Sequence, residues 1–438
     1  MIAANSLPGT GNCGARGISS NFLCRILAGG GSFGKMSCMN LGFNSKSNHG
    51  ERSKVGLVQS MKISCFKERP RKGLKLEVES VRGGEDVWDA ASAEPKLFPE
   101  HLVIMVNGII GSSEDWRYAA EQFVKRLPDK VIVHRSECNY SRLTFDGVDL
   151  MGERLADEVC SVVRRRPGVR KISFVAHSLG GLVARYAIGR LYEPFLERES
   201  SGLTGNGSGE EHSSCSVQSF EQSIEGRIAG LEPMNFITCA TPHLGSRGHK
   251  QLPFLCGLPF LEKRASQTAH WIVGRTGKHL FLTDNDDGMP PLLLQMVNDC
   301  PDLKFMSALR SFKRCVAYAN ANYDHMVGWR TSSIRRQHEL PKSNLLVKHE
   351  KYPHIVYVER DRATEINRRS SSCVGDETVD MEEEMIRGLT QVAWERVDVS
   401  FQKSRQRYIA HSTIQVKSYW LNSDGVDVVF HMIDNFLL

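Results

Sequence analysis

The sequence lacks any apolar run close to the roughly 20 residues that a membrane-spanning helix needs. It also lacks a Cys-x-x-Cys pair, and its 12 cysteines are scattered without the cysteine–histidine spacing that binds zinc. No motif for an organic cofactor is present. We therefore expect separate thiols in a reducing compartment, no transmembrane segment, no metal and no cofactor.

Acidic residues are absent before Glu51, whereas serine, glycine and isolated basic residues are frequent there. Residues 1–80 hold 12 Lys/Arg against 4 Asp/Glu, and the rest of the chain balances at −2, so its charge gives no reason to expect nucleic acid binding. An acid-poor, serine-containing start is typical of an organelle transit peptide. We expect residues 1–72 to be a disordered leader that directs the chain to the chloroplast. The alternative is a plain disordered tail on a cytoplasmic protein.

Short apolar runs alternate with helical patterns along the rest of the chain. The runs are Leu102–Val106, Val131–Val133, Ile172–Val175, Met234–Cys239 and Cys315–Ala319. The helical patterns are Trp116–Leu127, Val148–Val163, Leu179–Tyr192 and Asp427–Leu438. Strands that alternate with helices predict a mainly parallel sheet with helices on both faces. We expect one α/β domain over residues 73–438, with its core from about residue 98.

Three segments interrupt this alternation and are interpreted as insertions. Residues 197–227 are rich in Ser, Gly and Glu and predict a surface loop, and residues 367–386 predict a second, polar and acidic loop. Residues 252–282 are apolar but broken by Pro and Gly. They are either ordinary packing over the sheet or a lid-like, acyl-binding wall beside an active site.

The segment around Ser178 has the form of a nucleophile elbow. The run Phe174-Val175-Ala176-His177 is a buried strand, and a helical pattern begins directly after Ser178 with Leu179-Gly180-Gly181. A tight strand-to-helix turn lifts a serine hydroxyl above the sheet, and small residues two before and two after it avoid collisions. Ala176 stands where glycine is usual. The alternative is a chance turn between a strand and a helix.

A serine nucleophile needs a base, an acid that orients the base, and amide donors for the oxyanion. The N–H of Leu179 at the start of the helix is one predicted donor. The second is predicted to be the N–H of Ile109, in the glycine-containing loop after the first strand.

Asp324 is the predicted acid, because it follows the fifth strand and because the acid in this class of site lies just past a late strand. Its alternative role is that of an ordinary turn residue. His411 is the predicted base, because it lies between a strand-like run and the last helix. Four other histidines stay open as alternatives: His338, His349, His354 and His431. Of these, His431 falls on the polar stripe of the last helix, which predicts that its side chain is exposed to solvent.

Several of these motifs together resemble the putative serine esterase family of lipase-like α/β-hydrolases. They are Asn107-Gly108-Ile109-Ile110-Gly111, the Ala-His-Ser-Leu-Gly-Gly elbow, Thr241-Pro242-His243-Leu244-Gly245, and Tyr318-Ala319-Asn320 followed by Asp324 and Val327. The resemblance covers roughly residues 98–438 and implies an α/β-hydrolase fold and hydrolysis of carboxylic esters, with lipids as the expected substrates. His243, at the end of the fourth strand, is a candidate for lining the substrate cleft, and a packed structural histidine is its alternative.

The sequence therefore predicts a serine esterase or lipase that works through Ser178, His411 and Asp324 and forms an acyl-enzyme. Contact with a lipid surface is an expected property of an enzyme with such substrates. Two other functions stay open: an acyltransferase that uses the same three residues, and a binding module with little chemistry.

Overall fold

The computed structural model describes residues 76–81, 84–89, 99–194, 226–246, 274–285, 288–360 and 380–438. Within these ranges nine strands join one sheet: β1 Leu76–Val81, β2 Gly84–Asp89, β3 His101–Val106, β4 Val131–Ser136, β5 Lys171–His177, β6 Glu232–Cys239, β7 Arg314–Asn320, β8 Ile355–Arg360 and β9 Trp394–Val399. Their order across the sheet is β1-β2-β4-β3-β5-β6-β7-β9-β8. A separate two-stranded ribbon pairs Tyr192–Glu193 with Arg227–Ile228.

The middle of the sheet is parallel and both of its margins are antiparallel. Strands β4, β3, β5, β6, β7 and β9 pair in parallel, whereas β2 runs antiparallel to both β4 and β1, and β8 runs antiparallel to β9. Because the central strands are parallel, their carboxyl ends share one edge, where ligand sites of α/β sheets are built. This topology is that of an α/β-hydrolase, as predicted.

Alternate residues of the central strands enter two separate hydrophobic cores. On β3, Leu102 and Ile104 face one core, and Val103 and Met105 face the other. Both sets are fully buried, which explains why the strand is apolar throughout instead of alternating.

Helices cover both faces of the sheet. Their bounds are α1 Arg117–Arg126, α2 Val148–Arg165, α3 Leu179–Leu191, α4 Leu292–Gln295, α5 Phe305–Arg310, α6 Trp329–Ser333, α7 Met381–Leu389, α8 Ala410–Thr413, α9 Tyr419–Asn422 and α10 Val426–Asp434, with a further helical segment over 274–281. Short 3-10 turns lie at Ser113–Trp116, Ser141–Phe145, Gln337–Glu339, Ser343–Leu345, Arg407–Ile409 and Ser423–Gly425. Helices α2, α3, α5 and α7 pack on one face, and α1 and α10 pack on the other.

The five predicted strands are confirmed, but the four marginal strands were missed. Strand β9 illustrates the reason, because half of its residues are charged although the strand is buried. Asp398 of this strand is paired with Arg335, whose Nη1 lies 2.9 Å from the carboxylate. Burial of such a charge is tolerated only when a partner neutralises it, and here the partner is distant in sequence.

Parts of the predicted insertions lie outside the described residues, as does the whole leader 1–72. These parts are 197–225, 252–273 and 367–379. The loop interpretation is wrong for the end of the third segment, because Met381–Leu389 forms a helix that buries Met385, Ile386 and Leu389. None of the helices in the described ranges is long and apolar enough to cross a membrane.

Candidate active site

Ser178 occupies the sharp turn between β5 and α3, at the carboxyl edge of the sheet. Its backbone has φ 54° and ψ −128°, a conformation that non-glycine residues rarely adopt and that costs on the order of 1–3 kcal/mol. The turn is held by two hydrogen bonds, from Ser178 N to Cys239 O (2.9 Å) and from Gly181 N to Ser178 O (3.1 Å). Strain at this position is what a nucleophile elbow requires.

The two glycines after Ser178 permit close approach of neighbouring segments. A Cβ atom at Gly180 would lie 2.5 Å from the carbonyl oxygen of Asn107, and one at Gly181 would lie 2.2 Å from the Oγ1 of Thr241. The collision that small residues avoid is therefore with the loops that follow β3 and β6.

The structure brings Ser178, His411 and Asp324 together. His411 Nε2 lies 3.0 Å from Ser178 Oγ, and His411 Nδ1 lies 3.0 Å from Asp324 Oδ2. Because an ionised carboxylate only accepts, Nδ1 carries the proton and Nε2 is left to accept from the serine hydroxyl. These three residues come from the ends of β5 and β7 and from the short helix α8, so they are distant in sequence.

Asp324 is held as a carboxylate by four donors. Its Oδ1 accepts from the N–H groups of Met326 and Val327, both at 2.9 Å, and its Oδ2 accepts from Asn320 Nδ2 at 2.8 Å and from His411. Burial alone would raise the pKa of this carboxyl. The charge of His411 and the hydrogen bonds outweigh burial and lower the pKa below its ordinary value. A fixed anion at this position orients the imidazole.

The two predicted oxyanion donors, Ile109 and Leu179, flank Ser178. Leu179 is the first residue of α3, whose first N–H groups have no partner within the helix. A Cβ at Gly108 would lie 2.9 Å from the Cβ of Ser178, so the backbone before Ile109 passes directly beside the serine. Among the residues that the structure describes, the N–H groups of Ile109 and Leu179 have no acceptor.

The loop after β3 is anchored so that its peptides have a defined direction. Gly108 O accepts from Asn107 Nδ2 (3.1 Å) and from Gly111 N (3.0 Å), and the next N–H points the opposite way because the peptide is trans. Ile110 has φ 53°, and its N–H donates to Thr144 Oγ1 at 2.9 Å. Asn107 thus acts here through its side-chain amide, a role that the motif did not reveal.

His177 is a residue of the site to which the sequence assigned no role. It precedes the serine, is buried, and its Nε2 donates to the backbone carbonyl of His411 at 2.7 Å. The two imidazole rings are 4.6 Å apart. Burial, together with the nearby charge of His411, lowers the pKa of His177 far below its ordinary value, so the ring is neutral. Its adjacency to Ser178 was the one available signal.

The remaining candidate histidines do not join this site. His431 is buried, and its Nδ1 is hydrogen-bonded to Tyr318 OH at 2.8 Å. The interpretation of His431 as a solvated residue is therefore wrong. Burial lowers its pKa to about 4. His354 bonds to Asp427, His349 stacks near Tyr352, and His338 is exposed.

His243 lies in the core, not at a cleft. Its side chain is fully buried, its Nε2 is 3.0 Å from Thr238 Oγ1, and its ring is 5.3 Å from that of Trp394. Burial lowers its pKa well below the ordinary value. This is the packed structural histidine that the sequence left open. In the part of the chain that the structure describes, no three metal-ligating side chains converge.

Comparison with known sequences places this geometry in a family. The profile of the family described as "Putative serine esterase (DUF676)" matches residues 98–334, more than half of the chain. The chain belongs to this family. The matched range includes Ser178 and Asp324 but ends before His411, so the family match does not cover the residue that the structure places beside Ser178.

Relatives of this chain in yeasts carry the name of lipases. It is 30% identical over 241 residues to "Putative lipase ROG1" of Saccharomyces cerevisiae, which covers 54% of this chain and 28% of that protein. It is 26% identical over 258 residues to "Putative lipase C4A8.10" of Schizosaccharomyces pombe, which covers 57% of this chain and 28% of that one. The chain thus spans less than a third of the length of either relative.

Two solved structures with a partial likeness to this chain carry the name of esterases. The Pyrococcus furiosus esterase PF2001 is 13% identical with a TM-score of 0.31, over 59% of this chain and 74% of that one. Carboxyl esterase 2 of Tuber melanosporum is 11% identical with the same TM-score, over 59% and 69%. Both TM-scores are low, so neither esterase superposes closely on this chain.

Proposed function

We propose that this protein is a serine hydrolase that cleaves carboxylic esters through an acyl-enzyme. The observation that carries the proposal is the continuous set of hydrogen bonds from Ser178 Oγ to His411 and on to Asp324, each 3.0 Å long. Membership of the putative serine esterase family supports the same reaction class. A carboxylate, an imidazole and a hydroxyl in this order match the requirements of general-base catalysis.

In the proposed mechanism, Ser178 Oγ attacks the ester carbonyl while His411 Nε2 takes its proton. Asp324 stabilises the imidazolium that results, and the N–H groups of Ile109 and Leu179 stabilise the oxyanion. His411 then returns the proton to the leaving alcohol as the tetrahedral intermediate collapses. Water, activated by the same imidazole, releases the carboxylic acid from the acyl-enzyme.

Acyl esters of lipids are the proposed substrates. The names of the yeast relatives support this class, and so do the exposed apolar side chains of Ile110, Met326 and Ile409, each within two residues of a proposed catalytic or oxyanion residue. Turnover of a series of esters with increasing acyl length tests the substrate class. We expect turnover to rise with chain length, and activity restricted to short, soluble esters would contradict the lipid assignment.

A fluorophosphonate probe tests the reaction class, because it labels only a serine that a base activates. We expect labelling of the folded protein that is lost in Ser178→Ala and strongly slowed in His411→Ala. His431→Gln is the matched control and should be labelled at the rate of the natural protein. A folded protein that does not react, or a Ser178→Ala variant that still does, would refute the proposed mechanism.

A further inference from the structure

Exposed apolar side chains lie within three residues of the proposed acid, of the proposed base and of one proposed oxyanion donor. Ile110 lies in the loop that carries the proposed oxyanion donor, and Met326 lies two residues after the proposed acid. Tyr408 and Ile409 lie three and two residues before the proposed base, and both are exposed. Isolated exposed apolar residues are ordinary, whereas a group of them around one entrance suggests a contact surface.

The most exposed large side chain follows on the same stretch of chain. Trp420 is 87% exposed, on the short helix α9, between the exposed Tyr419 and Leu421. This helix is tied to α8, which carries His411, by a hydrogen bond from Asn422 Nδ2 to Thr413 Oγ1 (3.0 Å). Trp420 thus projects from a segment that is fastened to the proposed active site.

The same stretch is basic. From Phe401 to Leu421 the chain has four basic residues and no Asp or Glu: Lys403, Arg405, Arg407 and Lys417. Lys417 pairs with Asp115 (3.0 Å), and Arg407 lies over the ring of Tyr408 (4.8 Å). Lys403 and Arg405 are exposed, and no carboxylate of the described residues lies within ion-pair distance of either. The charged groups of Lys403 and Arg405 are therefore accessible to an anionic partner.

We propose that this face docks on the surface of an anionic lipid bilayer. It comprises Ile110, Met326, Tyr408, Ile409, Lys403, Arg405 and Trp420, and we name it the docking face. Tryptophan and tyrosine are favoured at the boundary between headgroups and acyl chains, and basic residues are attracted to anionic headgroups. Trp420 can insert between lipid headgroups while Lys403 and Arg405 pair with anionic headgroups. The proposal deepens the proposed function, since it would present the site to lipid esters.

Sedimentation with vesicles tests the docking face independently of catalysis. The full chain carrying Ser178→Ala is mixed with phosphatidylcholine vesicles with and without phosphatidylglycerol. We expect binding to the anionic vesicles only. Arg405→Glu should lower the partition coefficient about thirtyfold, since it replaces an attracted charge with a repelled one. Trp420→Ala should lower it about tenfold.

Two variants at residues that are not part of the docking face are matched controls. Lys130→Glu reverses an exposed charge before β4, at the amino edge of the sheet, and Val78→Ala shortens an exposed apolar side chain on β1. Both should bind vesicles as the parent does. Equal binding by Trp420→Ala and the parent, or no binding to anionic vesicles, overturns the docking face. Hydrolysis of a soluble ester, measured separately in the natural protein, decides the proposed function.

A different observation carries a second inference, about His177. We propose that His177 is a positioning residue that holds His411 through its backbone. The Nε2 of His177 donates to the carbonyl of His411 at 2.7 Å, so the residue before the nucleophile is attached directly to the proposed base. His411 lies in a helix of only four residues, Ala410–Thr413, which has little rigidity of its own.

Two substitutions separate positioning from simple packing. His177→Phe keeps a planar ring but removes the donor, and His177→Gln keeps an N–H donor at similar reach. We expect His177→Phe to lower kcat about 10- to 100-fold with KM unchanged, and His177→Gln to restore most of it. Both should unfold at nearly the same urea concentration as the natural protein.

Hydrogen exchange supplies a readout that does not depend on activity. Amides of the segment 407–414 should exchange faster in His177→Phe than in the natural protein, and His177→Gln should restore the protection. Unchanged exchange and kcat in His177→Phe overturn the positioning role. Equal damage in both variants, accompanied by a common loss of stability, also overturns it because packing alone then explains the effect.

Discussion

Asp324→Asn is the substitution whose effect the structure defines most sharply. All four groups that contact the carboxylate are donors: the N–H groups of Met326 and Val327, the side-chain amide of Asn320, and His411 Nδ1. A carboxylate accepts from all four. An asparagine offers one oxygen and one NH2 group, so in either orientation its NH2 faces two donors.

The conflict is relieved by changes that inactivate the proposed base. With the new oxygen turned to the two backbone N–H groups, the Asn320 amide can rotate and present its oxygen. His411 then has to accept at Nδ1, which puts the imidazole proton on Nε2, facing Ser178. An imidazole in this tautomer cannot take the serine proton. We expect kcat to fall about 10⁴-fold, equivalent to about 5.5 kcal/mol in the barrier.

Turnover of a soluble ester near neutral pH measures the effect. Asp302→Asn is the control, since Asp302 is an exposed carboxylate before β7, and it should leave turnover unchanged. The free energy of unfolding of Asp324→Asn is measured in parallel to show that the fold survives. A folded Asp324→Asn protein with turnover within tenfold of the natural one would refute the proposed role of the carboxylate.

Three further predictions concern the elbow and two buried histidines. Gly180→Ala should reduce ester turnover at least tenfold, because its Cβ would lie 2.5 Å from a backbone oxygen, whereas Gly168→Ala, with open space around it, should not. His431→Gln should keep its turnover but lower the free energy of unfolding by about 1–3 kcal/mol, because the bond to Tyr318 is weakened. Burial alone would lower the pKa of His134, but its bonds to Asp86 and Glu158 raise it from 6.5 to about 9. The protonated His134 ring therefore stabilises the folded state by about 3 kcal/mol below pH 6.5, and this stabilisation is lost as pH rises through 9. The free energy of urea unfolding of His134→Gln should lack this pH dependence.

Much of the fold could be predicted from local patterns. The central strands are buried on both faces and are therefore apolar throughout, and the helices that cover them have one apolar stripe. The marginal strands carry no such signal. Strand β9 contains Asp398, which is buried against Arg335, and a pairing between residues so far apart in sequence leaves no periodic trace. The histidines show the same limit, since nothing in the surroundings of His431 in the sequence indicates that Tyr318 covers it.

The sequence by itself determined where the turn with Ser178 lies, because a strand, small residues and a helix must follow one another there for steric reasons. It also determined that an acid after β7 was available. Only the tertiary structure decided which histidine meets the serine, that His177 holds the backbone of that histidine, and that His243 is packed in the core. The physical reason is that each of these facts depends on atoms brought together from distant parts of the chain, whereas the elbow depends on consecutive residues.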